Sequence, residues 1–174
     1  MEARWVRQKT GADVVVFWGC NPVEAHPRHP TRYSVMARGF LTKGRSDRRV
    51  IVVDVRKTPT AYLATDFYMI KPNSDFAIFT ALRNIINGHE GAVPDIVGGL
   101  KKEELIELAK TLESAKYGLI FFGLGVTHTR GHERNIEAVI KLGPKQKNEV
   151  HSPTDERTLQ RRWFGRSSSM GSRF

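Results

Sequence analysis

Cysteine is almost absent from this 174-residue sequence, in which Cys20 is the only one. One thiol cannot form an internal disulfide, and it is too few to hold a zinc ion or an iron–sulfur cluster. The sequence also has no run of 18 or more uncharged apolar residues, which excludes a membrane-spanning helix. Its first residues lack the apolar core of a signal peptide. We therefore expect a cytoplasmic protein whose metal chemistry, if any, takes its ligands from elsewhere.

Acidic residues are also scarce, because 18 Asp and Glu stand against 28 Lys and Arg, for a formal net charge of +10. Such an excess attracts nucleic acid, nucleotides, phosphates or an acidic partner subunit, without choosing among them. The composition is otherwise that of an ordinary globular domain, with 40% hydrophobic and 26% charged residues. The length fits one domain, or one domain followed by a tail.

Short apolar runs alternate with helical patterns along the chain. The β-branched and aromatic runs at 13–18, 49–55, 67–70 and 117–122 are typical of buried parallel strands. Helical spacing of apolar residues follows Ser74, which reads as an N-cap, up to Gly88. Further helices are predicted at 102–114 and 134–142, with short ones near 32–38 and 58–64. Alternating strands and helices predict an α/β fold, an open, mostly parallel sheet with helices on both faces, over residues 1–143.

After Gly143 the apolar periodicity stops, and the sequence becomes rich in Ser, Arg and Gly. Residues 144–174 are therefore predicted to be a basic tail that is disordered, or that reflects a lost reading frame. On the second interpretation the chain is a fragment of a longer protein.

Four short segments follow predicted strands, at the edge where open α/β sheets bind their ligands. They are Gly19-Cys20-Asn21-Pro22, Asp54 with Arg56 and Thr58, residues 71–75 including Asp75, and the Gly-rich turn at 123–128. Asp54 can accept hydrogen bonds from a ribose or a guanine edge, and Arg56 and Thr58 can hold phosphate oxygens. Free N–H groups in the turn at 123–128 would form an anion site.

Each segment also has a purely structural interpretation. The first is compatible with an ordinary strand-end turn, since no GxGxxG motif is present. Asp54 can cap a turn, and Asp75 suits the positive end of a helix dipole. The spacing of His26 with His29 and of His128 with His132 does not favour a zinc site. Cys20 is either a small buried group or a thiol whose pKa is lowered by nearby Arg and His residues.

Taken in order, three stretches resemble a known family: residues 14–34 (VVVFWGCNPVEAHPRHPTRYS), 50–90 (VIVVDVRKTPTAYLATDFYMIKPNSDFAIFTALRNIINGHE) and 118–142 (GLIFFGLGVTHTRGHERNIEAVIKL). Together they are similar to the central part of the catalytic B subunit of formylmethanofuran dehydrogenases, within the molybdopterin oxidoreductase family. The resemblance covers about residues 12–142. It implies reversible reduction of carbon dioxide to formate, which a hydrolase-like subunit joins to methanofuran.

The resemblance implies a bis(molybdopterin guanine dinucleotide) cofactor that holds molybdenum or tungsten. Gly19 to Pro22 would contact the pyrophosphate, and Asp54, Arg56 and Thr58 would serve the guanosine end. Asp75 would pair with the guanine edge, in a turn where Asn73-Ser74 replaces the family's Gly-Thr. The last segment would approach the pterin or its phosphates through Gly123, Gly125, Thr127 and His128.

The family's iron–sulfur cluster and metal-ligating cysteine are expected only upstream of this sequence, so no residue here is predicted to be catalytic or to bind the metal. The implied partners are the hydrolase-like and iron–sulfur subunits, and neither a membrane nor nucleic acid is expected. We expect the chain to be inactive by itself. The alternatives are a basic nucleotide- or RNA-binding α/β module without catalysis, which the +10 charge favours, and a structural scaffold subunit.

Overall fold

A computed structural model describes residues 11–38, 42–129, 131–142 and 149–151. Five strands form one sheet, and they are β1 (Val14–Trp18), β2 (Arg49–Asp54), β3 (Asp66–Met69), β6 (Gly118–Phe122) and β7 (Glu149–His151). Their spatial order is β3-β2-β1-β6-β7, and every neighbouring pair is parallel. The predicted α/β class with a mostly parallel sheet is therefore confirmed.

Helices and one hairpin connect these strands. The helices are α1 (Pro22–Ala25), α2 (Arg28–Arg32), α3 (Asp75–Ile86), α4 (Lys102–Ser114), α5 (Leu124–Thr127) and α6 (His132–Leu142). The hairpin pairs β4 (Ile96–Val97) with β5 (Leu100–Lys101). Short 3-10 turns occupy Arg45–Asp47, Pro59–Leu63 and Glu90–Ala92. Within the described ranges, no helix is long and apolar enough to cross a membrane.

The sheet separates two apolar layers because side chains alternate along each strand. Val16 and Trp18 face the layer covered by α3, α4 and α6. Val15 and Phe17 face the opposite layer, which the chain around Val35 and Ala61 covers. All five residues of β1 are buried, since β1 lies in the interior of the sheet with both faces covered.

The aromatic side chains of the strands belong to these layers. Phe17, Trp18, Phe121 and Phe122 are each no more than 6% exposed. They therefore do not form the exposed stacking surface that binding of single-stranded RNA usually requires.

One predicted helix is misplaced. The structure has α2 at Arg28–Arg32 instead of a helix near 32–38. The backbone carbonyl groups of Ser34, Val35 and Ala37 accept hydrogen bonds from the buried guanidinium of Arg48. Carbonyl groups used in this way do not build a regular helix over this segment.

Two elements were not predicted. The segment interpreted as a plain loop, 88–99, contains the start of the β4–β5 hairpin. Gly98 and Gly99 form its two-residue turn with φ of +60° and +94°, which suits a type I′ turn. Within the predicted tail, Glu149–His151 pairs with β6 as β7. The rest of 144–174 lies outside the described residues, so the boundary at 143 stays a prediction.

Candidate functional site at the carboxyl edge of the sheet

The four segments predicted to bind a ligand lie at one edge of the sheet. They follow the carboxyl ends of β1, β2, β3 and β6. The strand register places Trp18 between Val53 and Phe122, and it places Asp54 opposite Met69. The chain leaves β1 towards β2 on one side and returns to β6 on the other side. The crevice between β1 and β6 is therefore the topological switch point, where open α/β sheets bind ligands.

Glycine backbones of the turns after β1 and β6 line that crevice. The N–H of Gly125 donates to the carbonyl oxygen of Gly19 at 3.0 Å, and the N–H of Gly123 donates to that of Trp18 at 3.2 Å. A Cβ atom at Gly125 would lie 2.7 Å from the oxygen of Gly19, and one at Gly123 would lie 2.5 Å from the Cβ of Cys20. Only glycine allows the two turns to approach this closely.

The expected anion site in the turn at 123–128 is not formed by free amides. The N–H groups of Gly125, Val126, Thr127 and His128 all donate to carbonyl oxygens of the protein. The expectation of free amides there was wrong because Gly125 donates to Gly19, while the other three amides donate to the carbonyl oxygens of Gly123 and Leu124 within the turn. Side-chain groups remain at its surface, where the Thr127 hydroxyl lies 3.0 Å from Nδ1 of the exposed His128.

Asn21 connects the turn after β1 to the turn after β2. Its side-chain oxygen accepts from the hydroxyl of Thr60 at 2.7 Å and from the Thr60 N–H at 3.3 Å. The Thr60 hydroxyl in turn accepts from the N–H of Val23 at 3.2 Å. Pro22 is buried at the start of α1. Asn21 thus holds the loop after Asp54 in position, a role that the sequence alone did not reveal.

Asp75 is bonded to the end of β1. Its Oδ1 accepts a hydrogen bond of 2.8 Å from the indole Nε1 of Trp18, and the residue is only 3% exposed. Burial raises the pKa of Asp75, the Trp18 bond lowers it, and the nearby Asp54 carboxylate raises it. Asn73, two residues earlier, has φ of +61°. Asparagine adopts this left-handed geometry more readily than most residues other than glycine.

Asp54 is the second buried carboxylate at this edge. It is 9% exposed, and its Oδ1 accepts from the N–H of Val55 at 2.7 Å. Burial raises its pKa, while the amides of Val55 and Arg56 and the charge of Arg56 lower it. Asp54 at the end of β2 and Asp75 at the start of α3 thus form an acceptor pair, suited to ribose hydroxyls or to the N–H groups of a base.

Cations flank this acceptor pair. Arg56 and Lys57 are exposed immediately after Asp54, and the Lys57 ammonium lies 5.2 Å from the centroid of the Tyr62 ring. Thr58 is 4% exposed, and its buried hydroxyl has no hydrogen-bond partner among the described residues. The arrangement therefore combines carboxylate acceptors with exposed positive charges, which is the combination that a nucleotide's base, ribose and phosphates require.

Cys20 lies beneath this surface. Its thiol contacts the carbonyl oxygen of Phe121 at 3.5 Å. Burial raises its pKa to about 12, and the charge of Asp54 contributes to that shift. Cys20 is only partly buried, and the direction of this shift is opposite to that of an activated thiol, whose pKa would be lowered.

A separate cavity of about 530 Å³ lies at the amino edge of the sheet, among Arg45, Arg49 and Thr65. The guanidinium of Arg45 donates to the carbonyl oxygens of Arg48 and Leu63, and that of Arg49 pairs with Asp66 at 2.6 Å. Both guanidinium groups therefore already bond to oxygen atoms of the protein. The carboxyl edge is therefore the better candidate.

Replacing Asp75 with Asn is expected to stabilise the chain near pH 7. The asparagine oxygen can still accept from Trp18, and the buried charge is removed. Burial raises the pKa of Asp75 in the folded state, so the wild-type protein is most stable below the unfolded-state pKa of about 3.9. Its stability declines as the pH rises from that pKa to the folded-state pKa. We expect the melting temperature to rise by about 2–4 °C at pH 7, which corresponds to a stabilisation of about 1 kcal/mol.

Thermal unfolding between pH 4 and pH 8 measures this effect. The curves of wild type and Asp75→Asn should converge at low pH and separate as pH rises. The exposed Asp95→Asn provides the matched control, which should follow wild type throughout. A lower melting temperature for Asp75→Asn at pH 7 would mean that the ionised carboxylate stabilises the fold.

Comparisons with known proteins identify relatives of this chain. No family model matches it. The chain is 46% identical over 135 residues to the B subunit of the tungsten-containing formylmethanofuran dehydrogenase 2 of Methanocaldococcus jannaschii, and 43% identical over 135 residues to that of Methanococcus maripaludis. Each match covers 77% of this chain and 31% of the relative. The chain therefore spans about a third of the length of these curated relatives.

A solved structure agrees on the fold. A chain in the formyltransferase/hydrolase complex of Methylorubrum extorquens, solved with methylofuran, matches 91% of this chain and 42% of its own length. The TM-score is 0.54 at 16% sequence identity, so the match bears on the fold alone. The predicted resemblance to the B subunit of formylmethanofuran dehydrogenases is confirmed by the two sequence relatives.

Proposed function

We propose that this chain is part of the cofactor-binding region of a formylmethanofuran dehydrogenase, and that the carboxyl edge of its sheet binds the guanosine end of a molybdopterin dinucleotide. The observation that carries the proposal is that the buried carboxylates of Asp54, at the end of β2, and Asp75, at the start of α3, lie at the same edge of the sheet as the exposed Arg56 and Lys57. The two relatives, both described as tungsten-containing, support the identity of the cofactor.

The donor set at this edge fits a guanine nucleotide. Guanine presents two N–H donors on its pairing edge, and a carboxylate such as Asp75 can accept both. Asp54 suits the ribose hydroxyls, and Arg56 with Lys57 suits phosphate oxygens. Gly19 to Pro22 and the turn with Gly123, Gly125, Thr127 and His128 flank the switch point, where the pyrophosphate and pterin would lie.

When bound, the metal–pterin group would supply the redox chemistry that interconverts carbon dioxide and formate. This chain's residues would bind and orient its nucleotide end. The bis(molybdopterin guanine dinucleotide) form, an iron–sulfur cluster held elsewhere in the enzyme, and partner subunits of the hydrolase-like and iron–sulfur types are part of the same proposal. Since the chain spans about a third of its relatives, we expect it not to turn over carbon dioxide or formate by itself.

Binding of simple nucleotides tests the proposal. We expect the chain to bind GDP weakly, with a Kd of about 0.1–1 mM, and ADP at least about fivefold more weakly. Adenine places an acceptor where guanine has a donor, and that acceptor would face the Asp75 carboxylate. Isothermal titration or NMR titration of the whole 174-residue chain measures both affinities. Equal affinities would rule out recognition of guanine.

Substitutions test which residue recognises the base and which residue binds the phosphates. Asp75→Asn should remove the preference for GDP over ADP, so that the two affinities become similar, while Arg56→Ala should weaken the binding of GDP severalfold without changing the affinity for guanosine. Lys43→Ala removes an exposed charge near the amino edge instead. It should change neither the affinity for GDP nor the preference for GDP over ADP. A loss of GDP affinity in Lys43→Ala equal to that in Arg56→Ala would indicate a nonspecific effect of net charge.

A further inference from the structure

We propose that Trp18 is a positioning residue for guanine recognition, because its indole N–H fixes the carboxylate of Asp75 in the plane that the base requires. This inference rests on the proposed function and names the residue that would give the site its selectivity. Trp18 is the last residue of β1, and Asp75 is the first of α3. Their bond of 2.8 Å joins positions 57 residues apart in the sequence.

The orientation of the Asp75 carboxylate matters for binding a base because little of the residue is accessible. The residue is 3% exposed, so a base can contact it only over a small area. Rotation of a carboxylate about its terminal bond is soft, and the preference among orientations is broad. A guanine edge donates two parallel N–H groups, and it can use both only when the carboxylate lies in the plane of the base. A fixed donor on Oδ1 selects one plane and leaves a further lone pair on each oxygen.

Trp18 belongs to the apolar layer that packs against α3. It is 1% exposed, and its ring lies 4.2 Å from that of Phe79 with an interplanar angle of 34°. Phe79 is on the same helix as Asp75, one turn further along. Indole only donates a hydrogen bond and cannot accept one. Trp18 therefore favours an acceptor at Oδ1, and its N–H stabilises the ionised carboxylate against the cost of burial and against the nearby charge of Asp54.

A pair of variants separates orientation from packing. Trp18→Phe removes the N–H, and replacement of Trp18 by 3-benzothienylalanine removes it with almost no change of shape. Both should bring the GDP-to-ADP affinity ratio of the whole chain down to about one. Phe79→Leu is the matched control, since it removes the ring contact but leaves the indole N–H. It should lower stability and keep the ratio within about twofold of wild type.

The titration of Asp75, followed by the ¹³C shift of its carboxyl group, provides a readout that packing alone would not move. Loss of the indole N–H should raise the pKa of Asp75, and Phe79→Leu should leave it unchanged. The benzothienyl variant keeps the test informative where Trp18→Phe fails to fold.

The outcomes are distinguishable. A wild-type preference for GDP that survives in both Trp18 variants overturns the positioning role and leaves the proposed function standing. A wild-type chain without preference for GDP overturns the proposed function, and the role in guanine recognition falls with it. Loss of the preference in the Trp18 variants and in Phe79→Leu alike would assign the effect to packing and overturn the inference.

Discussion

Replacing Gly125 with alanine is expected to destabilise the chain by about 3 kcal/mol, which is a large part of the stability of a domain of this size. The new Cβ would lie 2.7 Å from the carbonyl oxygen and 2.8 Å from the Cα of Gly19. Both atoms belong to the backbone, so no side chain can rotate away. The turns after β1 and β6 would have to separate, and the hydrogen bond from Gly125 to Gly19 would be lost.

The origin of this effect is steric rather than conformational. Gly125 does not have a positive φ, whereas Gly19 does, at +55°. Alanine at 125 would therefore adopt the local backbone without strain. The control is Gly91→Ala, because a Cβ at Gly91 meets nothing within 4 Å and its φ is also ordinary. Gly91→Ala should be neutral or slightly stabilising.

Urea unfolding followed by circular dichroism compares the two variants. Gly125→Ala should unfold at a much lower urea concentration than wild type and Gly91→Ala, and it should lose the preference for GDP. A change of less than about 0.5 kcal/mol for Gly125→Ala would mean that the contact between the two turns does not hold the carboxyl edge together.

Replacing Arg48 with methionine is expected to cost about 3–5 kcal/mol. Arg48 is 3% exposed, and burial lowers its pKa. Its guanidinium donates to a set of groups on three segments: the carbonyl oxygens of Ala12, Ser34, Val35 and Ala37 and the hydroxyl of Thr42. Methionine fills a similar volume and donates to none of them. Buried carbonyl groups would be left without partners, at a cost that exceeds the loss of the bonds themselves.

In Arg48→Met, the segment bonded to the guanidinium should open more readily than the rest of the domain. Amide hydrogen exchange should increase first around residues 34–38, since the carbonyl groups of that segment are bonded to Arg48. The matched control is Lys110→Met on the exposed face of α4, which should change stability by less than about 0.5 kcal/mol. An Arg48→Met variant as stable as Lys110→Met would show that these carbonyl groups do not depend on the guanidinium.

Periodic patterns in the sequence predicted most of the fold. The apolar runs around Val16, Val52 and Ile120 lie in strands that are buried on both faces, and such runs depend little on tertiary detail. The helix at Lys102–Ser114 begins and ends where its pattern does. The hairpin around Gly98 was missed because strands of two residues are too short to show alternation. Its Gly-Gly pair between apolar residues was the available signal.

At the site, the sequence predicted which residues lie at the carboxyl edge of the sheet, but not which of them bond to each other. Strand ends indicated where Asp54 and Asp75 would lie, since parallel strands end at one edge of the sheet. The spacing of residues along the chain could not indicate that Trp18 donates to Asp75 or that Asn21 holds Thr60. These bonds join residues 57 and 39 positions apart and depend on the final packing. The same holds for the contact of Gly19 with Gly125, which uses the Gly125 amide that was expected to be free.

Binding of a guanine nucleotide at the carboxyl edge of the sheet can be tested most directly by mapping the backbone amide shifts of the whole chain during titration with GDP. We predict the largest changes at Gly19 to Asn21, at Asp54 to Thr58 and around Asp75, with ADP producing smaller changes at the same amides. Changes concentrated at the amino edge, around Arg45 and Arg49, would contradict this prediction and would place the nucleotide at the opposite end of the sheet.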